Sequence, residues 1–339
     1  MLISGPRPPR RIARVPERHE PAQSPLRGYL LALLAAACWA TGGLTADWLF
    51  TAPSSDTVDW VLPPLGIVVE PTVLSGARAL CALVLLVGYL ALFRRSDLRT
   101  TRRDIPFFAV FGIAGLAMVH YTYFKTISIT HNPATAILLE YLAPVLVLTV
   151  SVLFLRHRFT WALPLGVALS VAGCALVVGA VGGTGLSIPV EGVAWGLLSA
   201  VFFAVYSLMG SVAARRYPPY TTLVWGLGFA TVFWLAVLGV APVLSLFLEL
   251  KTAAAVVFIA VVSTIIPFAA FLTALKSIPP TNATVTSTVE PVLAAIGAFL
   301  LFGTALTPVQ VLGGLLVIAA IAVVQLPERQ PVPILPPQE

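Results

Sequence analysis

Charge is what this sequence has least of. Asp, Glu, Lys and Arg make up 10% of its 339 residues, against about 25% in soluble domains. So few charges cannot cover a surface that faces water. With 58% hydrophobic residues and a mean hydropathy of +0.96, the chain is excluded from the soluble globular class. Cysteine is scarce as well. Cys38, Cys81 and Cys174 each stand inside an apolar run, which excludes a disulfide framework and a metal-ligand spacing. No G-x-x-x-x-G-K-[ST] loop occurs, and "GGTGLS" at 182–187 lacks the lysine, so the chain is no ATPase. Nothing resembles a hydrolase or metalloenzyme motif. The sequence points to no enzyme and calls for no cofactor.

The net charge of +6 and pI near 9.5 do not indicate nucleic acid. The basic residues sit in short blocks between apolar segments, a membrane-topology signal and not a phosphate-tracking stripe. Ten apolar segments are present, each about as long as crossing roughly 30 Å of hydrocarbon requires. They run near 28–46, 73–93, 106–126, 134–155, 161–181, 192–212, 221–241, 253–274, 282–302 and 308–326. Each is expected to be a helix, because a lipid-facing backbone must satisfy its own hydrogen bonds. The expected fold is all-α, an integral membrane protein of ten transmembrane helices.

Orientation follows from the bases. With an internal N-terminus, 17 of the 20 Lys and Arg residues fall on the cytoplasmic side. Only Lys125 and Lys251 lie near the outside, and Arg78 lies within the second span. Positive charge favours the cytoplasm, so both termini are expected inside and the chain is read as multi-pass in the plasma membrane. Residues 1–26, rich in Arg and Pro, and 327–339 read as cytoplasmic tails. The outer loop at 47–72 carries Asp47, Asp56, Asp59 and Glu70 and no base; it reads as a small cap without chemistry.

Two halves repeat. "PATAILLEYLAPVL" (133–146) aligns without gaps on "PTNATVTSTVEPVL" (280–293), so that Pro133 meets Pro280 and Pro144 meets Pro291. Five spans per half is an odd number, which inserts the halves with opposite orientation. Such inverted five-helix repeats, 28–181 and 192–326, place a site near the midplane between them. Pro144 cannot donate to the carbonyl of Glu140, nor Pro291 to that of Ser287. Helices interrupted at matching places are a pointer to a binding site.

The stretches "YFKTISITHNPATAILLEYLAPVLVLTVSVLFL" and "FLTALKSIPPTNATVTSTVEPVLAAIGAFLLFG", with "CWATGG" at 38–43 and "GARALCALVLL" around Arg78, resemble the EamA-type members of the drug/metabolite transporter superfamily. The resemblance covers roughly 28–326. It implies a ten-helix inverted-repeat fold with a cavity lined by helices 1, 3, 4, 6, 8 and 9. It further implies secondary transport, often export, of amino acids or other small metabolites. Multidrug efflux is the alternative within that class; a channel or a membrane scaffold is the alternative outside it.

Polar residues within the spans are the candidate site. A charge at the bilayer centre costs about 2.5–3.5 kcal/mol on insertion scales and faces a cavity or a partner. Glu140 is the first candidate for contact with a cationic group or a proton. Glu290, next to Pro291, is a second acid or the partner of a base such as Lys276. On the third span His120 shares a face with Tyr123, and Tyr121 with Lys125; His120 and Tyr121 are candidate contacts. Trp39 and Tyr206 lie deep enough to line a cavity, while Trp195 reads as an interfacial anchor. Arg78 is expected to snorkel or to pair with a carboxylate. The partners expected are lipid, a small solute and protons as the coupling ion. Substrate and oligomeric state are not legible.

Overall fold

A computed structural model describes residues 24–50, 66, 69–130, 133–154, 160–177, 189–302 and 307–326. The two tails (residues 1–23 and 327–339) and most of the acidic outer loop lie outside the described residues. So does "GGTGLS". Among the described residues the structure is helical, with no strand.

Fifteen α-helices are described: α1 (Pro25–Phe50), α2 (Pro71–Phe93), α3 (Ile105–Val110), α4 (Met118–Thr130), α5 (Pro133–Glu140), α6 (Ala143–Leu153), α7 (Ala162–Val177) and α8 (Val190–Ala214), then α9 (Pro219–Leu238), α10 (Val240–Ser245), α11 (Leu250–Ala260), α12 (Ile266–Ala274), α13 (Pro280–Ser287), α14 (Glu290–Phe302) and α15 (Pro308–Val324). π-helical turns at Phe111–Ala117 and Val261–Ile265 join α3 to α4 and α11 to α12. Prolines open many of these helices, where the missing N–H has no intrahelical partner to lose. Thr307 and Gln310 close a reciprocal capping box at the start of α15. After α9 the chain turns at Gly239 with φ of +80°, a conformation that costs glycine little.

Among the described residues, eight helical stretches are long and apolar enough to cross a membrane. α7 and α15 are also apolar but shorter, at 16 and 17 residues, about 24–26 Å at 1.5 Å per residue. The outer surface is apolar: Leu34, Val84, Phe93, Val232, Phe299 and Leu315 are all exposed. A patch this extensive signals a lipid-facing or partner-facing surface.

Small residues let the helices approach. A Cβ on Gly173 of α7 would stand 2.8 Å from the carbonyl oxygen of Gly313 on α15, and one on Gly313 would stand 2.7 Å from the carbonyl oxygen of Gly173. These two helices form the most extensive pairing in the fold, as small-residue crossings do in membranes. The first glycine of "CWATGG" has a similar purpose, because a Cβ on Gly42 would overlap the side chain of Ser263 in the second π turn. α1 packs on α12, α13 and α14; α8 packs on α4, α5 and α6; α2 pairs with α9.

Both interrupted helices are broken where the aligned prolines fall. Tyr141–Leu142 forms the turn between α5 and α6, and Thr288–Val289 the turn between α13 and α14. Pro144 and Pro291 follow each turn within the first residues of the new helix. The ungapped alignment pairs these two turns residue for residue.

Candidate translocation site

The two turns meet. The Tyr141 hydroxyl, in the turn of the first half, donates to Oε2 of Glu290 at 2.5 Å. The carbonyl oxygen of Ser287, freed by Pro291, lies 3.1 Å from the same hydroxyl. The thiol of Cys174 on α7 reaches the carbonyl oxygen of Thr288 at 3.7 Å. Side chains of the first half thus cover carbonyls that the broken helix of the second half leaves without an intrahelical donor.

Glu140 is the last residue of α5, one position before Tyr141. Its carboxylate accepts a hydrogen bond from Ser199 of α8, and it lies within electrostatic reach of Glu290. Tyr141 is buried, and both acids are half-buried. Two carboxylates sharing one low-dielectric region repel each other. Glu290 is bound by Tyr141 and not by Lys276.

The Ser199 hydroxyl also lies 3.5 Å from the carbonyl oxygen of Val119, and the next residue is His120. Its Nδ1 lies 2.6 Å from the carbonyl oxygen of Leu116, and its ring stands edge-on to Phe268 at 5.7 Å. Phe268 is the hub of an aromatic cluster. Trp39 meets it at 5.5 Å and Tyr206 at 5.2 Å, both edge-to-face, and Phe203 and Phe271 complete the group. The structure therefore brings Glu140 within electrostatic reach of Glu290, and separately gathers His120, Trp39 and Tyr206 around Phe268.

Tyr121 stands apart. Its ring contacts Trp195 at 5.7 Å and Trp234 at 6.2 Å, on a face of α4 different from that of His120. Trp195 also donates from Nε1 to Glu191 at 3.4 Å. Arg78 neither snorkels nor pairs with a carboxylate. It is buried beside Tyr123 and His120, among the described residues no ion pair reaches it, and its Nη2 has no hydrogen-bond partner. The sequence reading missed Tyr141, Ser199 and Phe268. Tyr141 had a signal, as the polar neighbour of Glu140 in the proline turn; Ser199 and Phe268 had none beyond a place in an apolar run.

The model of the EamA-like transporter family matches residues 26–179 and 190–326. The chain belongs to the EamA-like transporter family. It is a multi-pass membrane transporter and not an enzyme. Among similar proteins, an uncharacterized inner membrane transporter, YicL of Salmonella typhimurium, is 26% identical over 90% of this chain and 97% of its own length. An uncharacterized transporter of Archaeoglobus fulgidus is 27% identical over 70% of this chain and 83% of its own. A probable terminal-alkyne amino-acid exporter of Streptantibioticus cattleyicolor is 27% identical over 67% of this chain and 75% of its own. A solved crystal structure with 23% identity superposes with a TM-score of 0.69 over 88% of this EamA-like chain and 96% of that one, a likeness of fold.

Proposed function

We propose that this EamA-like transporter is a secondary active exporter of small metabolites such as amino acids. It works by alternating access between two inverted five-helix repeats, 28–181 and 192–326. The observation that carries the reading is the meeting of the two helix breaks, where Tyr141 of one half bonds Glu290 of the other. The packing supports the repeat: α1 lies on α12, α13 and α14 as α8 lies on α4, α5 and α6, while α2–α9 and α7–α15 pair across the halves. Exchanging the halves leaves that pattern unchanged. On this reading α7 and α15 are the fifth and tenth spans, and both termini face the cytoplasm because the bases do.

Glu140 and Glu290 form the midplane contact for an ammonium group or a coupling proton. The aromatic wall of Trp39, Phe268 and Tyr206, next to His120, faces the solute's apolar part. Rocking of one half against the other separates the two turns and exposes the acids to one side at a time. An amino group suits two carboxylates, and the relative from Streptantibioticus cattleyicolor is named as a probable amino-acid exporter.

Counterflow of a panel of radiolabelled amino acids into proteoliposomes tests this. We expect protein-dependent uptake that falls at least about tenfold in Glu140→Gln, a loss of roughly 1.4 kcal/mol in the transport barrier. Unchanged flux in that variant across pH removes the carboxylate from the mechanism. Steady open-pore currents would place the protein among channels instead.

A further inference from the structure

At one end of the bundle, two connections far apart in sequence are stitched together. The first, residues 94–104, joins α2 to α3 through short 3₁₀ turns at Arg95–Leu98 and Arg102–Asp104. The second, residues 215–218, joins α8 to α9. Trp225 of α9 donates from Nε1 to the carbonyl oxygen of Leu98 at 3.2 Å, and the Tyr217 hydroxyl donates to Asp104. The Arg94 guanidinium lies over the Tyr220 ring, 5.4 Å from its centroid, a cation–π contact.

This joint sorts charge. Its two segments carry seven arginines against two acids, Asp97 and Asp104, a net charge of +5. All seven arginines are exposed, whereas both acids are half-buried and already engaged, Asp97 by Arg94 at 3.7 Å and Asp104 by Tyr217 and Thr101. Arg95 donates from Nε to the carbonyl oxygen of Ala91 at 2.7 Å. Among the described residues, the side chains of Arg99, Arg102, Arg103, Arg215 and Arg216 make no hydrogen bond or ion pair, although Arg216 lies within electrostatic reach of Asp104. Like charges gathered on one surface repel each other, and an anion relieves that. Beside the arginines the surface turns apolar. Leu92 and Phe93, which end α2, are each 74% exposed, and the Tyr89 ring meets Phe93 at 5.4 Å and Tyr220 at 6.2 Å. Apolar and aromatic side chains that pass directly into bare guanidinium groups match the boundary between acyl chains and headgroups.

We propose that this patch is a docking surface for anionic phospholipids of the adjacent leaflet, whose phosphate groups pair with the unbonded arginines while their acyl chains lie against the apolar end of α2. Clusters of four to eight basic residues next to a membrane helix bind acidic headgroups, and the planar fork of arginine holds two phosphate oxygens at once. The occupant is a lipid and not a free phosphate, because the basic rim stands where the lipid-facing surface ends and headgroups are already at its level. The proposal needs only that the chain lies in a bilayer, and it does not rest on the transport reading above.

Native mass spectrometry of the purified full chain in detergent tests this, by counting the lipids bound as phosphatidylglycerol or phosphatidylcholine with the same acyl chains is titrated in. Each arginine near an anionic surface is worth about fivefold in affinity. We therefore expect phosphatidylglycerol to be preferred by at least about 25-fold, the share of two arginines. Arg102→Gln, Arg103→Gln and Arg216→Gln should each lower that preference about fivefold, and Arg102→Lys should keep most of it. Arg27→Gln, which removes an exposed arginine on α1, is the control and should leave the preference intact. A salt series on the unaltered chain reads the same contact without a substitution, and the preference should shrink as ionic strength rises. Glycerophosphoglycerol, the same headgroup without acyl chains, should not displace the lipid at equal concentration. Equal affinity for the two lipids, a preference indifferent to salt or to the three neutralisations, an equal loss in Arg27→Gln, or displacement by the chain-free headgroup overturns the proposal.

Discussion

The bond between Tyr141 and Glu290 can be weighed by a double-mutant cycle. Tyr141→Phe removes the donor at nearly constant shape, and Glu290→Gln removes the acceptor's charge. Tyr141→Phe also loses the contact with the Ser287 carbonyl oxygen at 3.1 Å, so the single variant overstates the pair, and only the cycle isolates it. The magnitude discriminates between two pictures. Neutral hydrogen bonds between membrane helices average about 0.6 kcal/mol and reach about 1.7 at most. Bonds to a charged group are worth about 1.5–3 kcal/mol, and O–H···O⁻ distances of roughly 2.5–2.7 Å are their mark. At 2.5 Å, with Tyr141 only 4% exposed, a coupling of about 1.5–2.5 kcal/mol is expected. Reversible unfolding of the four proteins in mixed micelles measures it. Single losses that add to within about 0.3 kcal/mol would refute the contact, and with it the meeting of the two halves at this point.

Other expectations follow from single sites. Gly173→Ala would press a methyl group to within 2.8 Å of the Gly313 carbonyl oxygen, and backbone cannot yield cheaply; we expect a loss of about 1–3 kcal/mol by the same unfolding assay. Gly228→Ala is its control, because no atom lies within 4 Å of the added Cβ; it should be neutral or stabilising by up to about 1 kcal/mol through helix propensity. Tyr217, between α8 and α9, is bonded to Asp104. Burial first, and then that bond, raise its phenol above the ordinary value of 10.0. The protonated phenol is favoured by folding, so its contribution is full below pH about 10 and is lost as pH rises through the raised value. A thermal melt against pH should show a smaller alkaline loss in Tyr217→Phe than in the unaltered chain, the difference being the part due to Tyr217. Thiol labelling from either side should find tags at the two termini on the same, cytoplasmic face; opposite faces would refute an even number of spans.

The helices were legible because the solvent is lipid. Hydrocarbon demands an unbroken apolar run for every helix, so the segments read at 253–274 and 192–212 differ from the helical stretches Leu250–Ala274 and Val190–Ala214 only by two or three residues at an end. The breaks were legible too, since Pro144 and Pro291 leave the carbonyls of Glu140 and Ser287 without donors whatever surrounds them. What touches the two acids beside these breaks was not. Tyr141 lies 149 residues from Glu290 in sequence, and Ser199 lies 59 from Glu140; neither distance leaves a periodic trace. Spacing did separate Tyr121 from His120: one residue on a helix is a turn of about 100°, which carries the ring from Phe268 to Trp195 and Trp234.

The two halves match in backbone and differ in charge. In the ungapped alignment Glu140 corresponds to Ser287, and Glu290 to Ala143. One acid therefore ends the helix before its turn, and the other begins the helix after its turn. Had the acids been symmetric, two like charges would sit at equivalent points about the pseudo-twofold axis, each lacking a partner of its own. Offset by three residues, each finds a hydroxyl from a different quarter: Ser199 on α8 for Glu140, Tyr141 for Glu290. On the proposed alternating-access reading, the scaffold rocks between two similar shapes while the site keeps distinct groups for solute and proton. Moving the first acid to the symmetric place, with Glu140→Ser and Ala143→Glu, tests that logic. Ala143 is fully buried, and a carboxylate there has no hydroxyl waiting for it. We expect the double variant to lose counterflow as fully as Glu140→Gln, and to melt lower than Glu140→Ser alone because an uncompensated buried charge is added. Restored flux would mean that only the number of acids matters, and not their offset.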